Sequence, residues 1–408
     1  MEQVLYKLPD GWEWQKLADV VVKTENLNPL KHADQLWTYI DISSVDRDRF
    51  AVTDPKEILG KDAPSRAKKH VQLNDVIFAT TRPNLKNIAL VRDEYSSPVA
   101  STGFCILRAN KKVLPAYLFY FVTTDFVQAQ IEPYVGGASY PAITDGNLKK
   151  APIPIPSIEE QKRIVEKLDA LLTRIDTAIE HLQESVALAD ALSQNGLDVY
   201  FAELTETNPE LTLSKLADFI SGYAFKSGDF TSESGIKPIK ITNVGVNEFS
   251  ENAEEFLPAS YETEYQRFAA KTNDIVIALT RPIINGGLKV CRVPEAYSGA
   301  LVNQRVAAIT SHNKHVLDFI YLYLQSSRTK NYVLEKSKSL NQPNLSITDL
   351  KNLTLPLPVN DEAIAKAVAD CNALISKARQ SKAEISEKIT MMQQLKASIL
   401  DSAFKGEL

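Results

Sequence analysis

The chain has 408 residues, room for two to four domains, and its 44% apolar and 24% charged residues are ordinary for soluble globular protein. No run of 18 apolar residues occurs and the N-terminus lacks a basic stretch followed by an apolar one, which argues against a membrane span or a secretory signal. Three cysteines, widely spaced among apolar residues, argue against disulfide or zinc frameworks and for a reducing compartment, the cytoplasm, while a net charge of −5 makes the distribution of charge more informative than its sum.

In chain order, the first elements are short apolar or β-branched runs: Trp37-Thr38-Tyr39-Ile40-Asp41-Ile42, Val76-Ile77-Phe78-Ala79, Ile88-Ala89-Leu90-Val91 and Phe104-Cys105-Ile106-Leu107. Turn formers such as Leu73-Asn74-Asp75 and Arg82-Pro83-Asn84 separate them, so the runs predict strands of a mixed, mostly antiparallel sheet. A helix follows from Pro115, with proline at the favoured first position. The segment Pro152-Ile153-Pro154-Ile155-Pro156 is extended, because its prolines cannot join a helix interior. Ser157, with Glu160 three residues on, then predicts a capping box at a helix start.

Beyond Ser157 the apolar period becomes seven. Val165, Leu168, Leu172, Ile175, Ile179, Leu182, Val186 and Ala189 are spaced alternately by 3 and 4, the seam of a coiled coil. Ile364, Val368, Cys371, Ile375, Ala378, Ile385, Ile389 and Met392 repeat it near the C-terminus, with Lys382 interrupting the stripe. Each helix is expected to run roughly 40–45 residues, about 60–68 Å. A helix of that length with one narrow apolar seam needs a partner, and the two are expected to pair. About ten residues, 203–212, join helix one to the second globular domain, so helix two should run back antiparallel, with a globular domain at each end.

The chain is written twice. Asn74-Asp75-Val76-Ile77-Phe78-Ala79-Thr80-Thr81-Arg82-Pro83 returns 199 residues later as Asn273-Asp274-Ile275-Val276-Ile277-Ala278-Leu279-Thr280-Arg281-Pro282. The shift reaches 203 where Leu197-Asp198-Val199-Tyr200-Phe201 meets Leu400-Asp401-Ser402-Ala403-Phe404. So long a period means two domain-sized copies. Basic charge recurs in both, with 11 Lys+Arg against 6 Asp+Glu over residues 51–112 and 11 against 4 over residues 266–342. Two phosphate-facing surfaces on an acidic body would have this pattern.

No phosphate-binding GxxxxGK[ST] loop, glycine-rich strand-to-helix turn or amino-methyltransferase Asn/Asp-Pro-Pro-Tyr/Phe motif occurs. His312 and His315 have helical spacing but no accompanying carboxylate or cysteine cluster, so no metal site and no cofactor is expected. The recurring Arg82 and Arg281 sit where a guanidinium could meet phosphate or a guanine edge; the alternative is a carboxylate partner inside the same domain. Arg66, Lys68 and Lys69 add positive charge. Variable loop residues, namely Asn84, Lys86, Asn87, Ser139 and Tyr140 against Asn285, Lys289, Asn341 and Gln342, are candidate base readers or plain exposed loop.

Taken together, Leu8-Pro9-Asp10-Gly11-Trp12, the Asn-Asp-Val/Ile segments, Pro152 to Pro156 with Ser157-Ile158-Glu159-Glu160-Gln161-Lys162-Arg163-Ile164-Val165, and the terminal Leu395 to Leu408 stretch resemble the specificity subunit of type I restriction–modification systems. The resemblance implies target-recognition domains at residues 1–157 and 208–359, of mixed α/β (α+β) fold, and helical spacers at 158–207 and 360–408. It implies a non-catalytic reader of double-stranded DNA, each domain taking half of a split target. The paired helices would set the gap and dock two modification (methyltransferase) subunits, which bring S-adenosylmethionine, with restriction subunits joining through the complex. Copy two lacks the Gln-Lys-Arg run; if that run docks partners, the two ends would bind them unequally. Two classes compete with this reading: a self-sufficient enzyme whose active-site residues follow no recognised motif, and a coiled-coil adaptor joining two ligand-binding domains unrelated to DNA.

Overall fold

The computed structural model describes residues 5–137, 139–252, 254–337 and 343–408. The chain forms two compact units, residues up to 183 with 387–408, and residues 184–386. Among the described residues no helix is long and apolar enough to cross a membrane.

In the first unit, a four-stranded antiparallel sheet runs in the order Val21–Val22, Phe104–Ala109, Val76–Ala79, Ile88–Leu90. Its central strand Val76–Ala79 is buried throughout, which explains its uninterrupted apolar run. A second four-stranded sheet, Lys56–Leu59, Leu36–Ile40, Pro98–Ser101, Ala67–His70, is mixed, its inner pair being parallel. The proline-rich segment becomes the strand Pro152–Ile155, paired with Glu13–Lys16 in an isolated two-stranded ladder. Such a ladder tolerates alternate residues without an N–H, because one edge of each strand is unpaired.

The second unit repeats this chassis. Its four-stranded sheet runs Asp218–Ser221, Val306–Thr310, Ile275–Ala278, Val290–Arg292, the same order from the same parts of the repeat. Pro238–Ile239 and Leu301–Val302 reproduce the parallel pair, and Glu210–Thr212 with Thr354–Pro356 reproduce the terminal ladder. The copies diverge in the second sheet. The pairings of Lys56–Leu59 and Ala67–His70 shrink in the second unit to the single bridges Ile236–Leu257 and Ala269–Leu301, beside the short helix Tyr261–Glu264, the turn Gln266–Phe268 and a Tyr223–Phe225–Tyr265–Phe268 ring cluster.

The predicted helices form, but the first is longer than expected: Ile158–Thr207 has 50 residues and Asp361–Lys405 has 45. Residues 203–207, counted in the connection by the loop estimate but inside the spacer bounds 158–207, are helical. Only Asn208 and Pro209 separate the helix from the strand Glu210–Thr212, and Asn208 caps the end by donating from Nδ2 to the Leu204 carbonyl. Ser157 caps the start through the Glu160 amide, but the expected box is half built, because the Glu160 carboxylate instead takes Nε and Nη2 of Arg163, each at 2.7 Å. Asn360 caps the second helix through the Ala363 amide.

The helices pair antiparallel. In the first unit Arg163 donates to the Leu408 carbonyl at 2.7 Å and Lys396 pairs with Asp176. In the second, Lys382 pairs with Asp190 at 2.7 Å and Tyr200 donates to Asp370 at 3.3 Å. Partners fall along one helix as they rise along the other. Lys382, which interrupts the apolar stripe, thus serves as an interhelical ion pair.

Each globular core is completed by the start of one helix and the end of the other. The first contains Ile164, Leu168 and Leu172 together with Ala403 and Phe404; the second contains Ile364, Val368 and Cys371 together with Leu197 and Phe201. Phe404 meets Tyr117 and Phe121 edge-on, both at 5.1 Å. Phe201 meets Phe319 at 5.6 Å and Tyr323 at 5.0 Å in the same geometry. The seam residues between these anchors are half-buried: Val165, Ile179 and Leu182 on one helix, Ile375, Ile385, Ile389 and Met392 on the other, whereas Ile175 is buried. Two helices alone cover only one side of each.

Candidate nucleic-acid interface

In both copies the buried central strand ends in Thr-Arg-Pro, and the arginine turns into left-handed backbone conformation, φ 48° at Arg82 and 47° at Arg281. Four residues later Lys86 (51°) and Asn285 (47°) do the same. Each arginine amide is tied to a proline carbonyl, Arg82 to Pro141 at 2.7 Å and Arg281 to Pro343 at 2.8 Å, while Thr81 and Thr280 bridge to Ala142 and Asn344. Both guanidiniums are exposed, and neither enters an ion pair among the described residues, so the alternative of a carboxylate partner does not hold there.

Around Arg82 a chain of backbone hydrogen bonds gathers a rim. The Thr102 amide binds the Arg66 carbonyl, the Thr80 amide binds Gly103, the Ile143 amide binds Thr80, and Arg82 is held on Pro141. Arg66, Arg82, Ser139 and Tyr140 are all exposed there, and Lys68, whose carbonyl holds the Leu27 amide, is exposed as well. The Arg82 guanidinium lies over the Tyr140 ring, 5.4 Å from its centroid.

Three of the predicted lysines are engaged within the fold. Lys69 pairs with Asp145 at 2.8 Å. Lys86 donates to the Thr123 carbonyl at 3.0 Å and pairs with Asp125 at 2.6 Å, securing the C-terminal end of the helix Pro115–Val122. Lys86 and Asn84 line an open cleft of about 1350 Å³ that also includes Arg49, Asp125, Glu180 and Lys396, rather than the Tyr140 rim. Asn87 is half-buried beside them. In the second unit Asn285 is exposed at the tip of the hairpin Ile283–Ile284/Gly287–Leu288. Lys289 instead donates to the Ile241 carbonyl at 2.9 Å, and burial holds its ammonium below the usual lysine range. Asn341 and Gln342 lie outside the described residues.

Gln161, of the Glu-Glu-Gln-Lys-Arg run, is fully buried. Its Oε1 accepts from the Leu114 amide at 2.8 Å, and its Nε2 donates to the Lys112 and Pro156 carbonyls at 2.9 and 3.1 Å. Gln161 thus serves internal stitching, while Arg163, still exposed, is tied to Glu160 and to the C-terminal Leu408 carbonyl. Sequence reading missed this, because one glutamine among charged residues looks solvated. The thiols are inert: Cys105, Cys291 and Cys371 are buried, and burial pushes each up to about 12.

Twin domains of mixed strands and helices, each with an exposed arginine that enters no ion pair among the described residues, and an antiparallel helix pair define a duplicated, two-domain architecture. The type I restriction modification DNA specificity domain matches residues 9–187 and again 205–387, so the chain belongs to the type I restriction–modification specificity family. Among curated relatives, the MjaVIII specificity subunit of Methanocaldococcus jannaschii is 27% identical over 93% of this chain and 90% of its own. The EcoKI specificity subunit of Escherichia coli is 24% identical over 98% and 90%. The HsdS subunit of Thermoanaerobacter tengcongensis is 31% identical across the whole of both chains with a TM-score of 0.57. A chain from a type I R-M system, solved for its complex assembly and conformational transition, is 29% identical with a TM-score of 0.79, covering 99% of this chain and all of that one.

Proposed function

We propose that this chain is the non-catalytic sequence reader of a type I restriction–modification complex, working on duplex DNA in the cytoplasm. Each unit reads one half of a split target. The antiparallel helices set the distance between halves and dock two modification subunits, through which restriction subunits join; this chain carries no cofactor of its own.

The observation that carries this reading is the repeated chassis with an exposed arginine, in no ion pair among the described residues, at the same place in both copies. An invariant cation suits an invariant ligand, the phosphate backbone, whereas the differing second sheets and loops suit two different base sequences. Arg82 and Arg281 are assigned to phosphate, with Arg66 and Lys68 adding charge. Ser139, Tyr140 and Asn285, and by sequence Asn341 and Gln342, are assigned to base contact. Lys69, Lys86 and Lys289 position these loops through their internal partners. Footprinting the chain with its modification subunits tests the reading: two protected patches flanking an unprotected spacer are expected, and a single continuous patch or none contradicts it.

A further inference from the structure

Tyr140 is 78% exposed, the most exposed aromatic among the described residues, yet it is held in place. Its loop is closed at the base by a double hydrogen bond between Gly136 and Ala142, at 3.0 and 2.8 Å. Gly137 takes φ 97°, and a Cβ there would fall 2.6 Å from the Tyr140 carbonyl oxygen, so only glycine fits this turn. One side of the ring carries the Arg82 guanidinium, and the Arg82 backbone is itself fixed by the hydrogen bond its amide donates to the Pro141 carbonyl. Leaving an aromatic ring in water forfeits the burial that ordinarily stabilises it, and no ordinary loop needs it braced by a cation. A braced, exposed ring beside a cation is what a base-stacking wedge requires: the ring enters the stack while the guanidinium meets the adjacent phosphate.

We infer that Tyr140, supported by Arg82, wedges into the base stack of the half-site read by the first unit. This rests on the DNA-reading function above and specifies how one residue performs it. The wedge is one-sided. The proline carbonyls that hold Arg82 and Arg281 align Pro141 with Pro343, so Tyr140 corresponds in sequence to Gln342, which has no ring to insert.

The test uses the chain assembled with its modification subunits and a duplex carrying the target mapped by methylation, with 2-aminopurine placed in turn at each position of both half-sites. Wild type and Tyr140→Phe should raise fluorescence several-fold at a position in the first unit's half-site. Tyr140→Ala should abolish that rise and weaken binding about tenfold, with melting temperature unchanged. A base flipped for modification also fluoresces, but independently of Tyr140. Specific binding with a fluorescence profile identical in wild type and Tyr140→Ala overturns the wedge alone, as does a loss of affinity with no position-specific change. Absence of any sequence-specific binding by the wild-type complex removes the DNA-reading function itself.

Discussion

Arg82 and Arg281 sit in left-handed backbone, which costs an L residue about 1–2 kcal/mol, and the chain maintains that cost twice. A conformation this unfavourable persists where it places a side chain that does something else. Arg82→Gly removes both the strain and the guanidinium. It is expected to leave the melting temperature unchanged or raised while DNA binding falls about tenfold; a fall in stability with intact binding would make the arginine structural. Gln161 is the opposite kind of residue. Gln161→Leu strands the Leu114 amide and two carbonyls, a loss of about 3 kcal/mol, visible as faster hydrogen exchange at Leu114 and an earlier melt. The sequence identified Arg82 because it recurs. It could not show that Lys69 and Lys86 are taken by Asp145 and Asp125, since those pairs join residues 76 and 39 positions apart.

At the scale of elements, the heptad seam, the proline-led helix Pro115–Val122 and the strand Val76–Ala79 were legible, because period and punctuation are local properties. The crossing of helix ends was not: nothing near Phe404 in sequence says that it completes the core around Tyr117 and Phe121, some 280 residues earlier. Phe404→Ala is predicted to cost about 3–5 kcal/mol and to speed exchange around residues 117–121 while sparing 319–323. Phe201→Ala should show the reverse. Matching effects in both units from either substitution would contradict this assignment. Lengthening both helices by one heptad preserves seam phase and adds about 10 Å, or about three base pairs at ~3.4 Å each. The methylated target should then carry a spacer longer by that amount; an unchanged spacer would show that the helices do not set it.

For the whole molecule, duplication explains both what is shared and what is not. The central sheet, the terminal ladder and the rim arginine are common to the two copies, whereas the second sheet and the loops differ. Division into a fixed chassis and a variable reading surface predicts that halves of the target are read independently. The decisive measurement is sequencing of methylated positions in DNA from a host that expresses this chain with its modification subunit, before and after residues 213–358 are exchanged for those of another family member. The predicted result is a split motif in which one half changes and the other is retained. A change in both halves, or an uninterrupted motif, would contradict it.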